Sequence, residues 1–289
     1  MHAGGREHLV QLDPDHPGFR DATYRQRRDA IASIALSYTS GEPVPDAPYS
    51  ADEDGVWSAI RAELDPLHDR YVARELNDLR GELGLGVQAI PQLAQVNTRL
   101  ATSTGFRMEP VAGLVNARTF LSHLGRGVFL STQYIRHASR PFYTPEPDVV
   151  HELVGHAATH VHPDLAALNR RIGRLAAVCT DAWMARLESV YWYTLEFGVV
   201  AQDGELRGFG AGVLSSIGEL RRAVGIDPGP RKLPWDLEVI AATPYDPTDY
   251  QPQVFVAPSF GRMIEDLNRW LGAAEGASAG GPPGVEPVP

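Results

Sequence analysis

Cysteine is nearly missing. The 289-residue chain holds one, Cys179, so no internal disulfide can form. A disulfide-stapled secreted domain is thereby excluded, and a reducing compartment, the cytoplasm, is the expected location. No secretory leader is visible, because Arg6, Glu7 and His8 interrupt any apolar run near the start. No stretch reaches the ~18 consecutive apolar residues of a membrane-spanning helix. Positive charge is also short: 26 Lys and Arg face 36 Asp and Glu, a formal net charge of −10. That balance argues against nucleic acid or an anionic membrane as partner, since both require a basic surface. There is no internal repeat and no linker long enough to divide the body.

What is present suits a soluble globular protein with a sizeable core, at 43% hydrophobic and 21% charged residues. Helical periodicity dominates. Asp21–Tyr38 places Ile31, Ile34, Ala35 and Tyr38 on one face. Asp52–Leu83 is the clearest helical region, with Pro66 expected to kink or split it. Further helices are expected over Ile90–Ala101 (Pro91 in its first turn), Ala117–Leu124, Pro163–Ala177, Asp181–Val200, Leu214–Val224 and Ser259–Gly272. Only Phe106–Leu114 and Val128–Ile135 look like strands, while Asp227–Pro234 reads as a Pro/Gly loop. The expected architecture is therefore mainly α with a few short strands. Residues 1–20 are expected to be a loosely held arm, 21–272 a single catalytic domain, and 273–289, rich in Gly, Pro, Ala and Ser, a disordered tail.

The chemistry concentrates between Tyr143 and His156, where a Pro-rich turn leads into two histidines. Thr144 and Asp148 can each cap the helix that follows, because their side-chain oxygens can accept from unpaired N–H groups. His151 and His156 are five residues apart, about 140° around an ideal α-helix. The zinc-protease spacing of four puts both imidazoles on one face. A shared metal here therefore needs a distorted turn, and zinc proteolysis is a poor reading. A third ligand is found at Glu196, inside the apolar, aromatic run Tyr191–Phe197, where a lone carboxylate is costly unless paired or metal-bound. Two imidazoles and a carboxylate form the facial triad of non-haem Fe(II) oxygenases. The bland alternative is that the histidines are ordinary helix residues and Glu196 pairs with an arginine. His160 and His162 are expected at the surface, and Cys179 is a small buried residue with no activating pattern beside it. Gly210-Ala211-Gly212 lacks the third glycine of a dinucleotide loop.

Five motifs, in order, resemble one known family. They are Glu109–Leu114, Ser131–His137, Tyr143–His156, Tyr191–Phe197 and Gly210–Glu219, and together they look like the pterin-dependent aromatic amino acid hydroxylases over roughly residues 100 to 270. The resemblance implies a helical basket as the catalytic domain. It implies Fe(II) held by His151, His156 and Glu196, with a tetrahydropterin (tetrahydrobiopterin or a relative) and O2 as co-reactants. Arg136 matches the arginine that binds the substrate carboxylate, and Asp148 the aspartate that orients it. Thr144 and Ser215 match further substrate positions. Pro147, Trp192, Phe197 and Gly212 match the walls of the substrate pocket. Phe120 matches the ring that stacks on the pterin, and Gly113, Leu114, Val115, Glu152 and Tyr191 match other pterin neighbours.

These residue types suit the chemistry. A planar guanidinium fork suits a free amino-acid carboxylate, and aromatic walls suit an aromatic ring. Glu188, where the animal enzymes carry a small residue, and Pro247, in a loop that differs among substrate classes, depart from the pattern. The expectation is a monomeric, catalytic-domain-only, bacterial-type monooxygenase acting on free L-phenylalanine to give tyrosine. Hydroxylation at another ring position or of tryptophan is the alternative within the class. A non-catalytic metal-binding scaffold and a zinc hydrolase are the readings from other classes.

Overall fold

A computed structural model describes residues 12–279 of the chain, apart from Tyr143, Pro145 and Thr248. Helix α1 (Ala22–Ser37) starts where the Asp21 carboxylate accepts from Tyr24 N. Helix α2 (Ala51–Tyr71) opens on a capping box in which Ser50 and Glu53 satisfy each other's backbone N–H groups. It runs through Pro66 unbroken. The break comes later, at Val72 and Ala73, where the backbone is extended and Ala73 N donates to Gly208 O across to another segment. Pairing with a remote strand, invisible in local sequence, sets that boundary. Helix α3 (Arg74–Arg80) and a 3₁₀ turn (Gly81–Leu83) follow. Helix α4 (Leu93–Ser103) begins after Gln92, so Pro91 lies before the cap rather than in the first turn.

Strands β1 (Arg107–Pro110) and β2 (Val128–Ser131) pair in parallel, joined by helix α5 (Ala117–Leu124). A π turn (His151–Ala157), the short α6 (Ala158–His160), α7 (Pro163–Ala176) and α8 (Asp181–Tyr191) come next. The expected helix over Asp181–Val200 stops early. After α8 the chain makes a second π turn (Trp192–Glu196) and then enters β3 (Val199–Gln202). Gly198 forces the change of direction, since a Cβ there would lie 2.1 Å from Thr194 O and 2.2 Å from the Phe209 ring.

Strands β3, β4 (Glu205–Gly208), β5 (Arg231–Pro234) and β6 (Gln253–Ala257) form a four-stranded sheet in the order β4-β3-β6-β5. The loop expected over Asp227–Pro234 thus contains a strand. The helix expected over Leu214–Val224 is two, α9 (Ala211–Ser215) and α10 (Ile217–Ala223), divided at Ser216, whose extended backbone lets its side chain cap Glu219 N. Helices α11 (Leu237–Ala242) and α12 (Phe260–Ala279) complete the fold.

One large apolar cluster, running from Val44 to Ala274 in sequence, packs these elements together. Helix α7 lies against α5 closely enough that a Cβ on Gly173 would sit 2.0 Å from Gly125 N. Cys179 is buried at the end of α7, with Sγ 3.9 Å from Nη1 of Arg118, which also bonds the carbonyls of Ala176 and Cys179. Two expectations about the chain ends need correction. Residues 12–20 are not loose, because His16 is buried against Glu146 and its Nδ1 accepts from Gly18 N; residues 1–11 lie outside the described residues. Residues 273–279 continue α12, where Leu271 and Ala274 are buried, so only 280–289 of the expected tail fall outside the description. Among the described residues no helix is long and apolar enough to cross a membrane.

Candidate metal centre and substrate pocket

The five-residue histidine spacing is explained by the π turn. Bonding from i to i+5 winds a turn wider than the α-helix, so side chains five apart come nearly into line. His151 opens that turn and His156 nearly closes it, with their Nε2 atoms 3.0 Å apart. Asp148 caps the segment, its Oδ1 accepting from His151 N at 3.1 Å. Thr144 does not cap it; its hydroxyl donates to Glu146 O. Glu196 arrives from the second π turn, with Oε1 3.3 Å from His151 Nε2 and Oε2 3.2 Å from His156 Nε2. Its polar neighbours are thus the two histidines rather than an arginine.

Two glycines make this convergence possible. A Cβ on Gly155 would meet Ala211 O at 2.6 Å, and one on Gly212 would meet Glu196 Oε1 at 2.8 Å. Burial keeps both imidazoles neutral, pushing His151 down to about 4 and His156 to about 3. Their Nε2 lone pairs are therefore available at neutral pH. His151 Nδ1 lies 2.9 Å from Ser215 Oγ, which in turn donates to Gly212 O at 3.4 Å. That chain favours the tautomer with its proton on Nδ1, leaving Nε2 as a ligand.

A second carboxyl, Glu152, has ligand atoms within 4.8 Å of both histidines. Its Oε1 is taken by Thr132 N at 3.1 Å and Thr132 Oγ1 at 2.9 Å, and burial pushes its pKa up to about 8. Glu196 faces both nitrogens and keeps both oxygens turned toward them, so it fits the place of a third donor better than Glu152 does. Four donor atoms from three residues (the two Nε2 atoms and both Glu196 oxygens), with neighbours 3.0–3.3 Å apart, match a coordination shell with bonds of about 2.1 Å, so the residues fit a single metal ion.

Arg136 is buried, not a surface ion pair. Its Nε and Nη2 meet Asp148 at 2.8 and 2.7 Å, and its backbone N meets the same carboxylate at 2.8 Å. Burial alone would raise the Asp148 pKa, but the guanidinium overcomes this and holds it below the usual carboxylate range. Trp192 packs against Phe197, with ring centroids 4.8 Å apart, and stacks on Tyr245 at 4.5 Å. Pro147 precedes Asp148, and its carbonyl lies 3.5 Å from Thr132 Oγ1. Phe120 stands edge-on to Phe129, Tyr191 and His156, with centroids at 5.3, 6.0 and 6.4 Å. Gly113, Leu114 and Val115 lie in the loop before α5, where Leu114 is exposed.

His160 and His162 are buried, against expectation. His160 sits edge-on to Phe106 and Phe129, with Nδ1 2.6 Å from His156 O; His162 caps α7. Sequence reasoning gave Thr132 no role of its own, although it lies in the Ser131–His137 motif, and missed Tyr245 and Gln251, which carry no local signal because each meets Trp192 from far along the chain.

Two neutral imidazoles and one carboxylate, converging among buried residues of a helical scaffold, could hold a single metal ion in the manner of a facial triad. Comparison with known proteins narrows this. Residues 6–275 match the family model of the biopterin-dependent aromatic amino acid hydroxylases. The chain is 40% identical over 265 residues to phenylalanine-4-hydroxylase of Caenorhabditis elegans, covering 90% of this chain and 58% of that protein. It is 42% identical over 272 residues to tyrosine 3-monooxygenase of Rattus norvegicus, covering 91% and 54%. The chain thus spans between half and three-fifths of the length of these curated relatives. The crystal structure of Chromobacterium violaceum phenylalanine hydroxylase with bound iron(III) and oxidised 7,8-dihydrobiopterin superposes with a TM-score of 0.75, at 25% identity, covering 93% of this chain and 94% of that one. The chain belongs to the biopterin-dependent aromatic amino acid hydroxylase family.

Proposed function

We propose that this protein is an Fe(II)- and tetrahydropterin-dependent monooxygenase that hydroxylates the ring of free L-phenylalanine to tyrosine with O2. The observation that carries the reading is the 3.0–3.3 Å convergence of His151, His156 and Glu196 beside the buried Arg136–Asp148 pair. His151 and His156 Nε2 and Glu196 would hold the iron. When bound, iron and pterin supply the oxygen activation that no amino-acid side chain can.

The remaining work belongs to the protein. Arg136 commits Nε and Nη2 to Asp148, which aims the Nη1 end of the fork at a substrate carboxylate. Trp192, Phe197 and Pro147 supply apolar walls for the ring, and Gly212 leaves room between wall and ligand. Phe120, with Tyr191 near it, offers a flat apolar face, and Glu152, within electrostatic reach of Tyr191, offers a carboxyl, the mixture a pterin ring needs. Gly113, Leu114 and Val115 would border the same cofactor from the loop before α5.

The likeness to rat tyrosine 3-monooxygenase supports a second reading, in which another aromatic amino acid or another ring position is attacked. One experiment separates these. The protein is incubated with Fe(II), tetrahydropterin, O2 and each aromatic amino acid, and products are identified by mass and ring-proton NMR. Tyrosine from phenylalanine is expected, with Glu196→Ala producing none. Absence of pterin-dependent product with every amino acid would leave the metal-binding scaffold; zinc at the site with no oxygen uptake would leave a hydrolase. We further propose a cytoplasmic monomer, for which light scattering at micromolar concentration should give a mass near 31.5 kDa.

A further inference from the structure

We propose that Gln251 is a positioning residue for ring recognition, setting selectivity among aromatic amino acids through Trp192. The inference rests on the functional reading above and names a residue that touches none of the proposed ligands. Gln251 is buried in the segment between α11 and β6. Its Oε1 accepts from Trp192 Nε1 at 2.8 Å. Its Nε2 donates to Asp246 O at 3.1 Å and Asp249 O at 3.2 Å, and its backbone N donates to Glu219 Oε1 at 3.0 Å. One side chain therefore ties the indole of the pocket wall to the segment that carries Tyr245 and Pro247, and α10 anchors the whole through Glu219.

The amide orientation is dictated, because only Oε1 can face an indole donor and only Nε2 can serve two carbonyls. Tyr245 closes the assembly by stacking on Trp192 and donating from its hydroxyl to Glu188 at 3.4 Å. Trp192 is also the first residue of the π turn that delivers Glu196, its carbonyl accepting from Phe197 N at 2.8 Å. An indole free to swing would widen the ring-binding slot without touching the histidines. A slot held at fixed width discriminates among phenylalanine, tyrosine and tryptophan; a loosened one does so less.

Two variants test this. Gln251→Met keeps the volume and removes all three side-chain bonds. Gln251→Glu keeps the acceptor for Trp192 and faces two carbonyls with an oxygen. Losing partners for buried polar groups corresponds to about a tenfold change in an equilibrium. Both variants are expected to bind iron at wild-type stoichiometry and to keep the wild-type KM for pterin. The KM for phenylalanine should rise about tenfold, and the ratio of kcat/KM for phenylalanine over the other aromatic amino acids should fall at least threefold. Calorimetric titration of each amino acid into the iron-loaded protein reads the same selectivity without turnover. A ratio unchanged in both variants, with only melting temperature lowered, would overturn the proposal and leave the functional reading standing. Failure of the wild-type protein to bind any aromatic amino acid would overturn both.

Discussion

Asp148 organises the site one residue at a time. It accepts from Arg136 N, Nε and Nη2 and from His151 N, so the proposed carboxylate-binding group and the first proposed metal ligand share one buried anchor. Arg136→Lys replaces a two-pronged contact by a point charge. The KM for the amino acid is expected to rise tenfold or more while iron content stays unchanged, as steady-state kinetics and metal analysis would show. His68 has a different consequence. Its ring is fully buried, Nε2 lies 2.7 Å from Leu214 O, and Nδ1 has no hydrogen-bond partner among the described residues. Burial, aided by nearby Arg80, pushes its pKa down from 6.5 to about 4. The unfolded chain therefore binds more protons between those values, so this contribution to stability is whole above pH 6.5 and is lost as pH falls toward 4. The loss is on the order of 3 kcal/mol, and urea midpoints measured from pH 7 to pH 4 should fall, less steeply in His68→Gln.

At the scale of the element, the two π turns decide whether there is a site. Gly155 lets the first approach α9, whose Ser215 braces His151. Gly155→Ala puts a methyl against the Ala211 carbonyl. It is expected to cost about 1–3 kcal/mol in stability and to weaken metal binding, measurable by denaturation and by titration of the metal. Sequence periodicity located nearly every helix here, because apolar spacing is a local property. It could not distinguish an α from a π turn at His151–Ala157, since that choice depends on convergence with Glu196, far along the chain. The four-stranded sheet was hidden for a similar reason. Its strands are only four or five residues long, and although β3 and β4 pair across the local Asp203–Gly204 turn, the sheet is completed by distant pairings, as of Val199 with Val256 and Arg231 with Gln253. His151, His156, Glu196 and Arg136, which the fold gathers around Asp148 and the first π turn, could be singled out through motif order, whereas Gln251 and Tyr245 could not, because their partners are known only once the chain is folded.

For the whole molecule, the proposed metal would add a further link between the segment bearing the histidines and the one bearing Glu196. A ligand that binds only the folded state at a hundred times its Kd adds about 2.7 kcal/mol. Fe(II) is therefore expected to raise the melting temperature by several degrees, a chelator to reverse the rise, and Glu196→Ala to show neither, as scanning calorimetry would record. Cys179 lends itself to following the same opening directly. Because the chain's single thiol is shut between α7 and Arg118, a maleimide added in a brief pulse should mark only molecules that have come apart there. Untouched protein thus carries its own unfolding clock, and counting tagged chains with and without iron would show how firmly the metal holds that door closed.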